Sequence, residues 1–181
     1  SIGEIKLKLH YLSFFQINNL LTECLYQEIE DNIFSGDSVI DAFSGVGTIG
    51  LFIAKKANQV VFIESNTQAC SDAEDNIKLN NQTNCTVING KVEEQIQALI
   101  KEQNFNTVIF DPPRKGLDSK TIKAITESGI QKIIYVSCNP ATQVRDLKEF
   151  LNSGYKLTKV RPFDMFPHTH HLENLAILQK K

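Results

Sequence analysis

Short apolar runs alternate along this chain with longer segments whose apolar residues recur at helical spacing. Strand-like runs cover 38–42, 59–64, 85–89, 107–111, 132–137, 156–163 and 174–179. Helical candidates lie between them, near 17–32, 48–57, 67–80, 92–103, 119–127 and 141–152. Such alternation calls for βαβ units around a mostly parallel sheet with helices on both faces. Only a loop separates the last two strand-like runs, and a hairpin can make that connection, so the last strand is expected to be antiparallel. The reading is an α/β fold with a seven-stranded, mostly parallel sheet. The chain has 181 residues, which together with the absence of repeats or linker-like tracts argues for one domain.

Composition narrows the function classes. Lys and Arg number 19 against 21 Asp and Glu, for a net charge of -2, so no global field draws the chain to nucleic acid or anionic lipid. Any RNA partner must be gripped by a local basic patch or by another domain. No apolar run approaches the ~20 residues of a membrane helix, and the first residues lack the pattern of a signal peptide. The cysteines at 24, 70, 85 and 138 form no CxxC pair, which fits a reducing, cytoplasmic setting without a structural metal.

Open parallel sheets bind ligands where their strands end. The segment Ser38-Val-Ile-Asp-Ala-Phe-Ser-Gly-Val-Gly-Thr-Ile-Gly50 reads as strand, glycine turn and helix start. Gly45, Gly47 and Gly50 satisfy GxGxxG, and Glu64 ends the next strand where an acid suits a ribose diol. Asp41 is the discriminating residue. A carboxylate there would repel a pyrophosphate and attract an ammonium group, which points from a dinucleotide toward S-adenosylmethionine. The plainer alternative gives the glycines a purely geometric role and makes Asp41 a cap.

The strand at 107–111 stops at Asp111-Pro-Pro-Arg114. Two prolines stiffen the exit and present Asp111 in a defined direction. Amino-group methyltransferases carry a similar motif, usually with an aromatic residue where Arg114 stands, and that departure argues against amino methylation. The run at 132–137 delivers Cys138 to the same end, just before Asn139-Pro140 and a helix whose N-terminus is expected to lower the thiol pKa. Glu173 precedes the last strand as a candidate general base, or simply as a solvated strand-start residue. His168, His170 and His171 are discounted as metal ligands because no further Cys or His pair completes a site.

SFFQIN (13–18), DAFSGVGT, FDPPRKG, YVSCNPAT and DMFPHTHHLEN occur in this order. Together they resemble the catalytic domain of the RNA uracil-5-methyltransferases, a Rossmann-like class I S-adenosylmethionine-dependent fold, over essentially the whole chain. The resemblance implies Cys138 as the nucleophile that adds to uracil C6, and Glu173 as the base that removes the C5 proton. It implies cofactor contacts at Gln16, Asp41, Phe43, Gly45, Thr48, Glu64 and Asp111; relatives often have Asn at the position of Thr48. Lys91 stands where many relatives carry Asp or Asn, so that contact is left unassigned. Met165 resembles the ribosomal (23S) RNA branch more than the tRNA branch.

The expected partner is therefore RNA, with the target uracil flipped from its stack, and with no membrane, no metal and a monomeric chain. Arg114, Lys115 and Arg145 are candidate phosphate contacts, or plain solvated side chains. The relatives carry an N-terminal RNA-binding β-barrel, and this chain reaches FFQ by residue 16 without an initiator Met. It is accordingly expected to be a C-terminal catalytic part, binding cofactor but RNA poorly. A nicotinamide-dependent oxidoreductase and a non-catalytic cofactor- or RNA-binding module are the alternatives from other classes.

Overall fold

A computed structural model describes residues 2–8, 19–165 and 172–181. Gln16 and the three histidines at 168, 170 and 171 lie outside the described residues. The elements run α1 (Asn19–Asp31), β1 (Ser38–Ala42), α2 (Thr48–Ile53), β2 (Gln59–Glu64), α3 (Thr67–Leu79), β3 (Cys85–Asn89), α4 (Val92–Glu102), β4 (Thr107–Phe110), α5 (Ser119–Thr126), β5 (Lys132–Ser137), α6 (Pro140–Asn152), β6 (Tyr155–Phe163) and β7 (Glu173–Lys180). Helix α2 stops short of the expected residue 57. Asn84 accounts for the early stop, because its side-chain amide donates to the carbonyls of Ala54 and Ala57 and satisfies the helix end.

The seven strands form one sheet in the order β3-β2-β1-β4-β5-β7-β6. Strands β1 to β5 are parallel, and β7 runs antiparallel to both β5 and β6. The antiparallel strand is as expected, but it is inserted between its neighbours and leaves β6 at the edge. Lys156, Lys159, Arg161 and Pro162 discourage further pairing along that edge.

Side-chain alternation divides the core into two layers. Val39, Val60, Phe62, Ile109, Ile134 and Ile177 pack against Leu25, Ile29, Leu51, Ile53 and Ala73 of α1, α2 and α3. Ile40, Val61, Val108, Phe110, Ile133 and Leu178 pack against Ile96, Leu99, Ile125, Leu147 and Phe150 of α4, α5 and α6. Each fully buried aliphatic or aromatic side chain contributes about 1.5–3 kcal/mol of transfer free energy. Asn66, Asp118 and Asn139 cap α3, α5 and α6 with side-chain oxygens, which places each helix start next to a strand exit. Among the described residues, no helix is long and apolar enough to cross a membrane.

From β1 the chain winds outward to β3, then returns to place β4 on the other side of β1. The carboxyl ends of β1 and β4 thus flank the switch point at which such sheets bind ligands. Because β7 is antiparallel and Ser137 pairs with Asn174, its first residue, Glu173, arrives at the same end as Cys138.

Candidate active site

The turn after β1 is built around Phe62. A Cβ at Gly47 or Gly50 would lie 2.6 Å or 2.1 Å from the Phe62 ring, so both glycines serve close helix–sheet packing. Gly45 differs: it has φ +54°, and a Cβ there would meet nothing within 4 Å. Its open side is where a ligand can approach the backbone. Phe43 also has positive φ, at 63°, a strained state for an aromatic residue. The amides of Phe43 and Ser44 hold it there by donating to the Ile63 carbonyl.

Glu64 closes the turn from β2. One carboxylate oxygen accepts from Gly45 N–H at 3.0 Å and the other from Asn66 N–H at 2.7 Å. Phe43, Ile63, Glu64, Lys91, Val92 and Asp111 are among the residues around a cavity of ≈520 Å³, within the usual size of small-molecule sites. The two acids and the strained aromatic named from sequence therefore share one concavity.

Asp41 does not stand open in the crevice, as the sequence-based reading had it. It is fully buried beneath the turn, with Oδ2 accepting from Gly50 N–H at 2.9 Å and Oδ1 without a partner. Burial raises its pKa to about 7 against the pull of the Gly50 N–H, and the Glu64 carboxylate adds to the rise. Asp111, at the exit of β4, is pushed up to about 8 by burial and then by the carboxylates of Glu173 and Asp41. Glu173 is buried, keeps Oε2 without a partner and is raised to about 7 by burial. Three carboxyl groups are thus gathered where ionisation is costly, the pattern of a functional cleft.

Tyr26 is the residue that sequence reasoning missed. It sits on α1, outside every motif, and its buried hydroxyl lies 3.0 Å from Thr48 Oγ1. Burial raises its pKa first, the Thr48 hydrogen bond opposes that rise, and the charges of Asp111, Asp41 and Glu173 add to it, so the hydroxyl stays neutral. Only the apolar spacing of α1 marks Tyr26 in the sequence, and that spacing announces a core residue. Ser44 Oγ is likewise buried without a partner inside the turn.

Cys138 follows β5 and is half-buried. Its position relative to Glu173 is locked by Gln143 of α6, whose amide donates to the carbonyls of Tyr135 and Asn174. The expected lowering of the thiol pKa by the helix start is not what the structure gives. Burial raises it, as do the carboxylates of Glu173 and Asp111, while Arg114 opposes them through its charge and a hydrogen bond to the thiol. Arg145 is exposed but engaged: its guanidinium donates to the carbonyls of Lys115 and Leu117 and to Asp146. Lys115 remains exposed at the mouth of the cavity. Among the described residues, no three His, Cys, Asp or Glu side chains are grouped to hold a metal ion.

Residues 5–181 match the family model described as tRNA (Uracil-5-)-methyltransferase. The chain belongs to this family. Within and around it, the chain is 44% identical over 182 residues to a protein of Caldanaerobacter subterraneus described as an uncharacterized RNA methyltransferase, covering 99% of this chain and 40% of that one. A Lactobacillus johnsonii protein of the same description is 46% identical, with the same coverage. This chain thus spans about 40% of the length of those relatives. The tRNA (uracil-54, C5)-methyltransferase of Pyrococcus abyssi, solved with S-adenosyl-L-homocysteine, superposes with a TM-score of 0.87 at 33% identity, over 98% of this chain and 43% of that one. A Geobacter metallireducens precorrin-6y C5,15-methyltransferase superposes at 0.70 with 12% identity and shares the fold alone. The seven-stranded order with antiparallel β7 is that of the class I methyltransferases.

Proposed function

We propose that this chain is the catalytic domain of an RNA methyltransferase that converts uridine to 5-methyluridine with S-adenosylmethionine, with 23S rRNA placed ahead of tRNA as substrate. The observation that carries the reading is the meeting of a thiol, Cys138, and a buried base, Glu173, at the carboxyl end of the sheet beside the glycine turn. Membership in the uracil-5-methyltransferase family supports it. The preference for ribosomal RNA rests on Met165, which is buried against Phe163 and the first core layer.

S-adenosylmethionine suits the groups present. The open face of Gly45 and the Glu64 carboxylate in the cavity wall would receive a ribose, while Asp41 stays buried beneath the turn. A pyrophosphate would instead meet the Glu64 carboxylate, which already occupies the Gly45 N–H, and that counts against a nicotinamide dinucleotide. When bound, the cofactor supplies an electrophilic methyl group.

The chain's own residues supply the rest. Uracil C5 is a weak nucleophile until C6 is attacked. Cys138 Sγ, as thiolate, forms the bond to C6, and the C5=C6 electron pair moves to C5 and the O4 carbonyl as an enolate. After C5 has taken the methyl group, Glu173 removes the C5 proton, the double bond re-forms and Sγ leaves. A base with a pKa of about 7 is half ionised near neutrality, which suits that transfer. The two prolines after Asp111 stiffen that part of the pocket wall.

The test is methyl incorporation into unmodified total RNA followed by mapping of the modified position. A Glu173→Gln variant should lose about 10²–10⁴-fold in turnover and accumulate the Cys138 adduct. Modification of a base other than uracil, or unimpaired turnover by Glu173→Gln, contradicts the reading.

A further inference from the structure

Helix α3 carries Asn76 in its last turn and Asn80 at its C-cap, and a spacing of four puts both on one face. That face holds the segment 2–8. Asn80 Oδ1 accepts from Lys6 N–H at 3.0 Å, and its Nδ2 donates to the Lys6 carbonyl at 2.7 Å. Asn76 Oδ1 accepts from Lys8 N–H at 2.7 Å. The other end of the segment is anchored by Ile2 and Ile5, which are buried in the first core layer and exchange backbone bonds of 3.1 and 3.0 Å. Lys6 and Lys8 are exposed, so residues 6–8 form a strap across the surface that the two asparagines hold by its backbone. The exposed Lys8–Asp75 ion pair at 2.9 Å adds little.

Asn76 has a second partner. It is fully buried, and its Nδ2 donates to the Val46 carbonyl at 3.3 Å, inside the glycine turn. The N–H of the same peptide unit, on Gly47, donates to the Ser44 carbonyl at 2.9 Å. That peptide is thus held at both ends, one residue beyond the Gly45 N–H that meets Glu64 in the cavity wall. A flipped Asn76 amide would set N–H against N–H and oxygen against oxygen, so its two bonds stand or fall together. We infer that Asn76 is a positioning residue for the cofactor: it sets the Val46–Gly47 peptide of the turn and couples the turn to the strap. An ordered strap then raises affinity for the cofactor, and bound cofactor fastens the strap by the same factor. The inference rests on the reading of the glycine turn as the cofactor site.

S-adenosylhomocysteine is the probe, with its affinity read by calorimetry at a temperature where each variant is folded. Asn76→Leu removes both bonds and should weaken binding about tenfold. Lys8→Pro leaves Asn76 in place, removes only the strap's N–H, and should weaken binding about threefold. Lys132→Met, at the far end of the sheet, is the control for lost stability and should bind as wild type does. In the wild type, saturating S-adenosylhomocysteine should slow hydrogen exchange at the Lys8 amide, a change that a merely structural asparagine would not produce. Wild-type affinity in Lys8→Pro together with unchanged exchange at Lys8 overturns the inference, even where Asn76→Leu fails to fold. A wild type that binds no S-adenosylhomocysteine would remove the cofactor reading itself, and this inference with it.

Discussion

Buried charge occurs at both ends of this sheet, and the two ends treat it differently. At the amino end, Lys132 Nζ donates to Asp37 Oδ2 at 3.1 Å and to the Asn32 carbonyl at 2.7 Å, and lies 4.0 Å from the Phe34 ring centre. Asp37 also accepts from Phe34 N–H and from Asn106 Nδ2. Every oxygen of that carboxylate is occupied. At the carboxyl end, Asp41 and Glu173 each keep an oxygen with no partner, and Asp41, Asp111 and Glu173 are raised to about 7, 8 and 7. A fold able to satisfy buried charge at one end leaves it unsatisfied at the other. The unsatisfied end is the one where the topology opens a ligand crevice.

The largest stability effect is expected at the satisfied end. Lys132→Met leaves Asp37 buried without its cation and should cost about 3–5 kcal/mol, a fall in Tm on the order of 10 °C. Cofactor affinity, read by calorimetry at a temperature where the variant is folded, should not change. An equal loss of affinity would mean that the two ends are coupled.

The opposite sign is expected for Asp111→Asn. The folded-state pKa of Asp111 is about 8, above the ordinary value of 3.8, so folding favours the protonated acid. Stability is retained below about pH 4 and lost as pH rises toward 8, at up to about 1.4 kcal/mol per pH unit. Asn cannot ionise. Thermal melts from pH 5 to 8 should therefore show the variant gaining on wild type, by several degrees at pH 8 and little at pH 5. A pH-independent difference would place Asp111 in a charge-satisfied setting like that of Asp37.

This contrast was only partly legible in the sequence. The strand exits that carry Asp41, Asp111 and Cys138 follow from the alternation of apolar runs, because the period of a segment states its element and the element states its end. The nearness of Glu173 to Cys138 does not follow from spacing, since it depends on β7 being inserted antiparallel beside β5. Tyr26 was invisible for a different reason: on α1 it fills an apolar position, and its hydroxyl gains meaning only once α2 brings Thr48 against it. The bonds of Arg145 to the carbonyls of Lys115 and Leu117 were hidden because the letters of an exposed arginine do not disclose which carbonyls it faces. Asp41 was read at the right strand end and with the wrong exposure, since a turn that covers its own carboxylate carries the same letters as one that presents it.

The central claim is that Cys138 attacks uracil while Glu173 waits to take the C5 proton. Incubation with 5-fluorouridine-containing RNA and S-adenosylmethionine tests it most directly, because the fluorine at C5 cannot be removed as a proton. The account predicts a stable, methylated RNA adduct on the Cys138 peptide by mass spectrometry, absent in Cys138→Ala. An adduct at another residue, or none while both cofactor and RNA are shown to be bound, would contradict it.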